Sequence, residues 1–194
     1  MTTNILVMAG STRVGSHNRR LAAEGARLLA MTDASVSMLD LKDYPLPLYD
    51  GDIEAETGVP EHALRLAQRL AEQDGLLLVC PEYNHSIAPV LKNALDWASR
   101  VRRVNNRPLQ PFKGLVVGLA AASPGRFGGA RGLVAMRPVL LSLGAEVLTA
   151  QVTLADAASG FDAEGRLLDD GTRMALDALV ARLVDAARSL GRHG

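Results

Sequence analysis

The chain has 194 residues, and at roughly 150 residues per domain that length predicts one domain spanning 1–194. Lysine and arginine total 21 and aspartate and glutamate total 21, so no net field draws it to nucleic acid or an anionic membrane. With 48% hydrophobic residues it can build a core unaided, which excludes disorder throughout, and its single cysteine excludes an internal disulfide, an iron–sulfur cluster and a cysteine-built zinc site.

Met1-Thr2-Thr3 passes directly into an apolar run with no basic leader, and that run is too short for a signal or membrane helix, so the expected address is the cytoplasm. Residues 5–9, closed by Gly10-Ser11, read as a strand buried on both faces. From Asn18 the spacing of Leu21, Gly25, Leu28 and Leu29 predicts a helix, and 35–40 a second strand. Residues 41–60 carry Pro45, Pro47, Gly51, Gly58 and Pro60 and are expected to form a long loop. A helix is expected over 61–73, the most apolar strand over 76–80, a loop over 81–87 and a helix over 89–100 opened by a proline.

After a break at 108–111, residues 115–120 read as another buried strand and 121–129 as a glycine-rich loop. Residues 131–143 have helical spacing, with Pro138 expected to kink the helix or shift its start. A fifth, shorter strand is expected to begin at 146–148, and a last helix is expected around 172–190. Five alternations of buried strand and helix predict an α/β doubly wound fold, a parallel sheet covered on both faces. In such folds ligands bind beyond the carboxyl ends of the strands, which directs attention to 10–18, 81–87 and 121–129.

The first of these loops, Gly10-Ser11-Thr12-Arg13-Val14-Gly15-Ser16-His17-Asn18, has neither the glycine spacing of a dinucleotide fingerprint nor the Gly-Lys-Ser/Thr of a Walker loop. It does set three hydroxyls, an amide and a guanidinium around a helix N-terminus, which suits a terminal phosphate dianion. Ser11, Arg13, Ser16, His17 and Asn18 are the candidate ligands; the plainer reading is that Ser16 or Asn18 merely caps the helix.

The order Gly10, Ser11, Arg13, Ser16, Asn18, then Pro81-Glu82-Tyr83-Asn84 with Ser86, then Leu91-Lys92-Asn93-Ala94-Leu95-Asp96-Trp97 resembles the NADPH-dependent FMN reductase family, flavodoxin-like quinone, azo and chromate reductases. The resemblance runs from residue 4 to about 150 and includes 46–50 and Gly128-Gly129. It implies a flavodoxin-like three-layer sheet with strand order 2-1-3-4-5. It also implies that Ser11, Arg13, Ser16 and Asn18 hold the FMN phosphate. Pro81, Glu82, Tyr83, Asn84 and Ser86 would then edge the isoalloxazine, largely through backbone groups, with Ser123 and Gly125 closing the ribityl and ring side. A flat heteroaromatic ring needs backbone donors, acceptors and an aromatic wall, for which Tyr83 is the candidate.

Cys80 ends an apolar strand and reads as an inert core thiol, and His85 has no orienting carboxylate nearby in sequence except Glu82. His17, His62 and His193 are scattered, so no metal is expected. Asp96 falls in a helix and reads as solvent-facing; Trp97 fits core or interface equally. Arg100, Arg102, Arg103 and Arg107, extended by Arg126 and Arg131, read as a solvated face or subunit contact, the alternative being a seat for the 2′-phosphate of NADPH.

The resulting expectation is an FMN-dependent oxidoreductase taking hydride from NADPH or NADH and passing electrons to a quinone-like small-molecule acceptor. No side chain is assigned as catalytic, because the flavin carries the chemistry. A homodimer or homotetramer is implied by the resemblance, and 41–60 and 104–112 are candidate walls of an open slot. The alternatives are an FMN-binding electron carrier without nicotinamide activity, which such a neutral chain suits poorly, and a non-redox module binding another phosphorylated metabolite.

Overall fold

Five strands whose residues are largely Val, Leu, Ile, Met and Ala assemble into one parallel sheet in the computed structural model, which describes residues 2–192. In chain order the elements are β1 Asn4–Ala9, α1 His17–Leu29, β2 Ser35–Asp40, α2 Gly51–Thr57, α3 Glu61–Ala71, β3 Gly75–Val79, β4 Glu82–Tyr83, β5 Ser86–Ile87, α4 Pro89–Arg100, β6 Arg103–Val104, β7 Arg107–Pro108, β8 Val116–Ala122, α5 Ala130–Ser142, β9 Glu146–Leu154 and α6 Asp170–Leu190. The sheet order is β2-β1-β3-β8-β9, the 2-1-3-4-5 order of a flavodoxin-like fold. The winding therefore reverses between β1 and β3, in the middle of the sheet.

Alternation along each strand divides the core into two. Leu6, Met8, Leu76, Leu78, Val117 and Leu119 face α3, α4 and α5, whereas Ile5, Val7, Leu77, Val79, Val116 and Ala120 face α1 and α6. The three central strands are buried along nearly their whole length, but β2 and β9, at the edges, are half exposed rather than buried on both faces as expected.

Other departures from the sequence reading have local causes. Within 41–60, Asp50 caps α2 by accepting from the Asp52 N–H at 2.8 Å and Gly58 ends it at φ +77, so the glycines bound a helix rather than forbid one. Residues 81–87 and 103–108 are not plain loops but two-residue hairpins, turned by Asn84-His85 and Asn105-Asn106 at positive φ. Pro138 lies inside α5 on an exposed face, where water can take the carbonyl it leaves unpaired. β9 begins at Glu146 as expected but is long rather than short, running to Leu154 through an irregularity in its pairing with β8, and its middle residues are exposed, which hides its length from an apolar-run criterion.

Residues 45–50 are strapped across α4. Asn93 and Trp97, one helical turn apart, both donate to the Pro47 carbonyl, at 2.9 and 2.8 Å, and the Asn93 side-chain oxygen accepts from the Tyr49 N–H at 2.8 Å. Trp97 is fully buried and meets the Tyr49 ring edge-on at 5.0 Å, so it is core. Arg100 lies one turn further on and holds Glu54 at 2.8 Å, and this hydrogen bond keeps the Glu54 carboxyl below its ordinary range. Trp97→Phe removes one donor and the pyrrole half of a fully buried indole, and it should lower the unfolding free energy by about 2–3 kcal/mol. Urea titration checks this: the midpoint falls and the slope stays unchanged.

Candidate functional site

Loop 10–16 leaves β1 beside the winding reversal and delivers the chain into α1. Gly10 is pressed between elements, since a Cβ there would lie 2.5 Å from Leu91 and 3.0 Å from Pro81, and this close approach brings the first loop against the second. Ser16 stands at the N-cap position of α1, yet its side chain makes no capping hydrogen bond, so the capping reading of Ser16 fails. Its hydroxyl and that of Ser11 belong to residues only 2% and 5% exposed, and Ser11 Oγ accepts from the Arg13 N–H at 3.3 Å. No acidic residue occupies the first turn. The Arg13 guanidinium is exposed and has no hydrogen-bond or ion-pair partner among the described residues. His17 is the first helical residue, and its Nδ1 is buried without a partner; burial first, then the positive charges of Arg13 and Arg20, hold the imidazole below its ordinary pKa of 6.5. These groups fit a phosphate dianion: donors stand ready, one guanidinium is unspent and the first turn of α1 carries no carboxylate.

Asn18 does something else. Its Nδ2 donates to the Ala122 carbonyl and its Oδ1 accepts from the Ala122 N–H, both at 2.9 Å and both buried. This reciprocal pair bolts α1 to the carboxyl end of β8, so Asn18 positions the first loop against the third rather than presenting its amide to the cradle.

The second loop is the β4–β5 hairpin. Glu82 turns its side chain toward α5, where it accepts from the Gly132 N–H at 3.0 Å and lies 3.8 Å from Arg131. It supplies the carboxylate that α5 lacks in its own first turn. Gly132 permits the contact, because a Cβ there would come within 3.1 Å of the Glu82 Cβ. With its side chain engaged there, Glu82 has only its backbone left to offer the loop's ligand side. Arg131 also reaches His85 Nε2 at 2.8 Å, so one guanidinium braces the base and the tip of the hairpin. Tyr83, Asn84 and Ser86 project into solvent, with Tyr83 49% exposed.

The third loop follows Ala122. Ser123 Oγ accepts from the Gly125 N–H at 3.2 Å, and Gly128 and Gly129 adopt φ +59 and +90. A Cβ on Gly129 would approach Ala121 to 2.7 Å. Arg126 and Arg131 flank the Phe127 ring at 4.9 and 3.9 Å. The three loops named by the sequence thus meet, through Gly10 and Pro81, Asn18 and Ala122, and Glu82 and Gly132.

Other candidates fall elsewhere. Cys80 is buried and its thiol is pushed far up by desolvation, as an inert core thiol should be. Asp96 pairs with Lys92 at 2.8 Å on α4. The basic run does not form one patch: α4 spans about 18 Å at its 1.5 Å rise, which leaves Arg100–Arg107 at the opposite end of the strands from Arg126 and Arg131. The 104–112 segment also lies there, anchored by Arg192 to the Gln110 and Pro111 carbonyls at 3.0 Å, so it is not a wall of the site. Segment 41–46 does reach it, enclosing with Thr12, Val90 and Asn93 a slot of about 280 Å³. His193 lies outside the described residues. Among those residues no three metal-ligating side chains converge, and no helix is long and apolar enough to cross a membrane. Sequence reasoning missed Gly132, whose signal was a glycine inside a helical pattern, a sign of close packing.

The profile of the NADPH-dependent FMN reductase family matches residues 3–159. The chain is 39% identical over 170 residues to an NAD(P)H-dependent FMN reductase of Pseudomonas aeruginosa, covering 87% of this chain and 86% of that protein. It is 33% identical over 181 residues to a quinone reductase of Escherichia coli K12, covering 92% and 90%. Among solved structures it resembles a flavoenzyme NAD(P)H:(acceptor) oxidoreductase from Paracoccus denitrificans, with a TM-score of 0.79, 30% identity and coverage of 98% of this chain and 100% of that one.

Two outcomes follow from the geometry. Glu82→Ala strands the Gly132 N–H and should cost about 2 kcal/mol of unfolding free energy, while Glu82→Gln keeps an acceptor and should lose less than half as much, both read by urea titration. For His17, the folded chain takes up a proton less readily than the unfolded one. Its contribution to stability is therefore complete above pH 6.5 and is lost as the pH falls through the lower folded-state value. In the ligand-free protein His17→Gln should flatten the acid limb of the stability curve; parallel curves for the two proteins would contradict this.

Proposed function

Because the chain belongs to the NADPH-dependent FMN reductase family, we propose that it is an FMN-dependent NAD(P)H oxidoreductase that passes electrons to quinone-type small-molecule acceptors. The observation that carries this reading is the start of α1, where buried hydroxyls, an unpaired guanidinium and an acid-free first turn lie at the winding reversal of the sheet. In this reading Ser11, Arg13, Ser16 and His17 hold the FMN phosphate, and Asn18 fixes the cradle against β8. Pro81, Glu82, Tyr83 and Asn84, with Ser86, edge the isoalloxazine through backbone groups and the Tyr83 ring; Ser123 and Gly125 close the opposite side.

Bound there, FMN supplies an acceptor for nicotinamide hydride and a donor to a quinone. The chain's own part is placement. The Glu82 and Arg131 braces keep the hairpin at a fixed height, and the exposure of Tyr83 leaves the ring face open to a flat reactant. We read residues 1–194 as one such domain, working in the cytoplasm where the nicotinamide pool is reduced. A homo-oligomer, dimer or tetramer, is supported by Val134 and Leu141, 68% and 54% exposed on α5, and by Phe127, also exposed, on the loop that leads into it. Residues 41–46 and the start of α4 wall the slot.

Anaerobic stopped-flow mixing of the flavin-loaded protein with NADPH tests the activity: rapid bleaching is expected, and an unreduced flavin would point to the electron carrier instead. Arg13→Ala should weaken FMN by about 10–100-fold, the worth of a charge-assisted hydrogen bond. Riboflavin affinity and the urea midpoint should stay as they are, since Arg13 has no fold partner. Equal loss of FMN and riboflavin binding would remove the phosphate assignment.

A further inference from the structure

We propose that the groove between α1 and β2 is an adenylyl subsite, so that the phosphate cradle accepts FAD as well as FMN. This rests on the cradle holding a flavin phosphate. A cavity of about 540 Å³ begins at Ser11, Gly15 and Ser16 and continues between Ala23 on α1 and Met38 and Asp40 on β2. Its volume lies within the roughly 300–1,000 Å³ of small-molecule sites. The sheet order fixes its direction: the hairpin and the third loop leave β3 and β8 on one side of β1, whereas the groove opens toward β2 on the other. A phosphate at the start of α1 therefore has the ring loops to one side and an open channel to the other.

The lining suits a nucleoside. Met38, 55% exposed on the edge strand, and the small side chains of Ala22 and Ala23 give an apolar floor with room for a flat base. Asp40 is the last residue of β2, paired in register with Ala9 at the end of β1. In dinucleotide folds a parallel β–α–β unit with an anion-binding helix start and a carboxylate closing its second strand takes the ribose hydroxyls of an adenine nucleotide; here the strand-end carboxylate is present and hydroxyls replace the glycine fingerprint. Asp40 is already oriented, accepting from Arg19 at 2.6 Å and from the Lys42 N–H at 3.0 Å, and each oxygen keeps further acceptor capacity. Arg19, whose Nη2 holds Asp40, also lines the groove, and its Nη1 has no partner among the described residues. Asp40 and Asp43 would repel a 2′-phosphate, so the adenylyl group is one with free 2′ and 3′ hydroxyls.

Of the flavin and reduced nicotinamide nucleotides, FAD and NADH carry that group. Continuity favours FAD, because the pyrophosphate of a separate dinucleotide would have to sit against the FMN phosphate, whereas in FAD the two phosphates are one linkage. Apo-protein titrated with FMN and with FAD, followed by quenching of flavin fluorescence, decides the matter. For the natural sequence the two dissociation constants should agree within about tenfold. Ala23→Trp and Met38→Trp fill the groove from opposite walls, and each should weaken FAD at least tenfold while leaving FMN unchanged, which also shows that the variants fold. KM for NADH, measured on the FMN-loaded variants, identifies the source: a tenfold rise there with FAD unaffected keeps the subsite but assigns it to the reductant. The subsite is refuted if both variants leave FAD binding and KM for NADH where they were, or if they weaken FMN and FAD alike. A natural sequence that fails to bind FMN at all would instead overturn the cofactor assignment on which the proposal stands.

Discussion

The site depends on one constraint: the first turn of α1 has to keep its N–H groups free. The other helix starts are compensated in different ways. α2 and α6 are capped by Asp50 and Asp169, α3 carries Glu61 in its first turn, α4 starts with a proline that has no N–H to satisfy, and α5 borrows Glu82. α1 has neither a side-chain cap nor a first-turn acid, and its would-be capping residue, Ser16, leaves its hydroxyl uncommitted. An uncapped start costs about 1 kcal/mol of helix stability, and three charge-assisted hydrogen bonds to a dianion at 1.5–3 kcal/mol each outweigh it several times over. The ligand-free fold therefore carries a small local deficit that a bound phosphate dianion would remove.

That deficit is useful only if the turn stands at a fixed distance from the loops that hold the rest of the ligand. The connections that achieve this are few and short range. Gly10 lets the first loop lie on Pro81 and Leu91, the Asn18 amide clamps α1 to Ala122, and Gly132 admits Glu82 to the start of α5. Each joins two loop ends through a backbone group, so the spacing is set by main-chain geometry rather than by flexible side chains. Two apolar cores, one on each face of the sheet, hold the strands beneath these joints and leave the loops to differ in exposure without loosening the frame.

Most of the frame was legible because buried parallel strands are continuous apolar runs and their helices have a clear 3.6-residue period; β2 and α4 fall where their sequence places them. What was lost follows from the same criteria. Two-residue strands carry no periodicity, so both hairpins passed as loops, although paired asparagines and Asn-His tolerate the positive φ their turns need. β9 crosses an exposed sheet edge where Thr149, Ala150 and Gln151 interrupt the apolar run. For the candidate site, residue type pointed to the first loop and the order of motifs to the other two. Residue type could not separate Ser16, which is free, from Asn18, which is spent, because their roles differ only in a contact made 104 residues away.

The β4–β5 hairpin shows how the fold tolerates an exposed element. Asn84 and His85 both adopt positive φ, a conformation that is mild for asparagine and less so for histidine, and neither residue is packed into a core. Left to itself such a two-residue ladder is marginal in water. Arg131 offsets this from outside, reaching His85 at the tip and lying near Glu82 at the base, while Glu82 fixes that base to the α5 backbone. Both braces come from α5, on the side away from the first loop, so the hairpin is stiffened without any side chain being drawn across the face it presents to a reactant. Rigidity on one side and access on the other are compatible because the braces and the open face belong to opposite sides of the same short ladder.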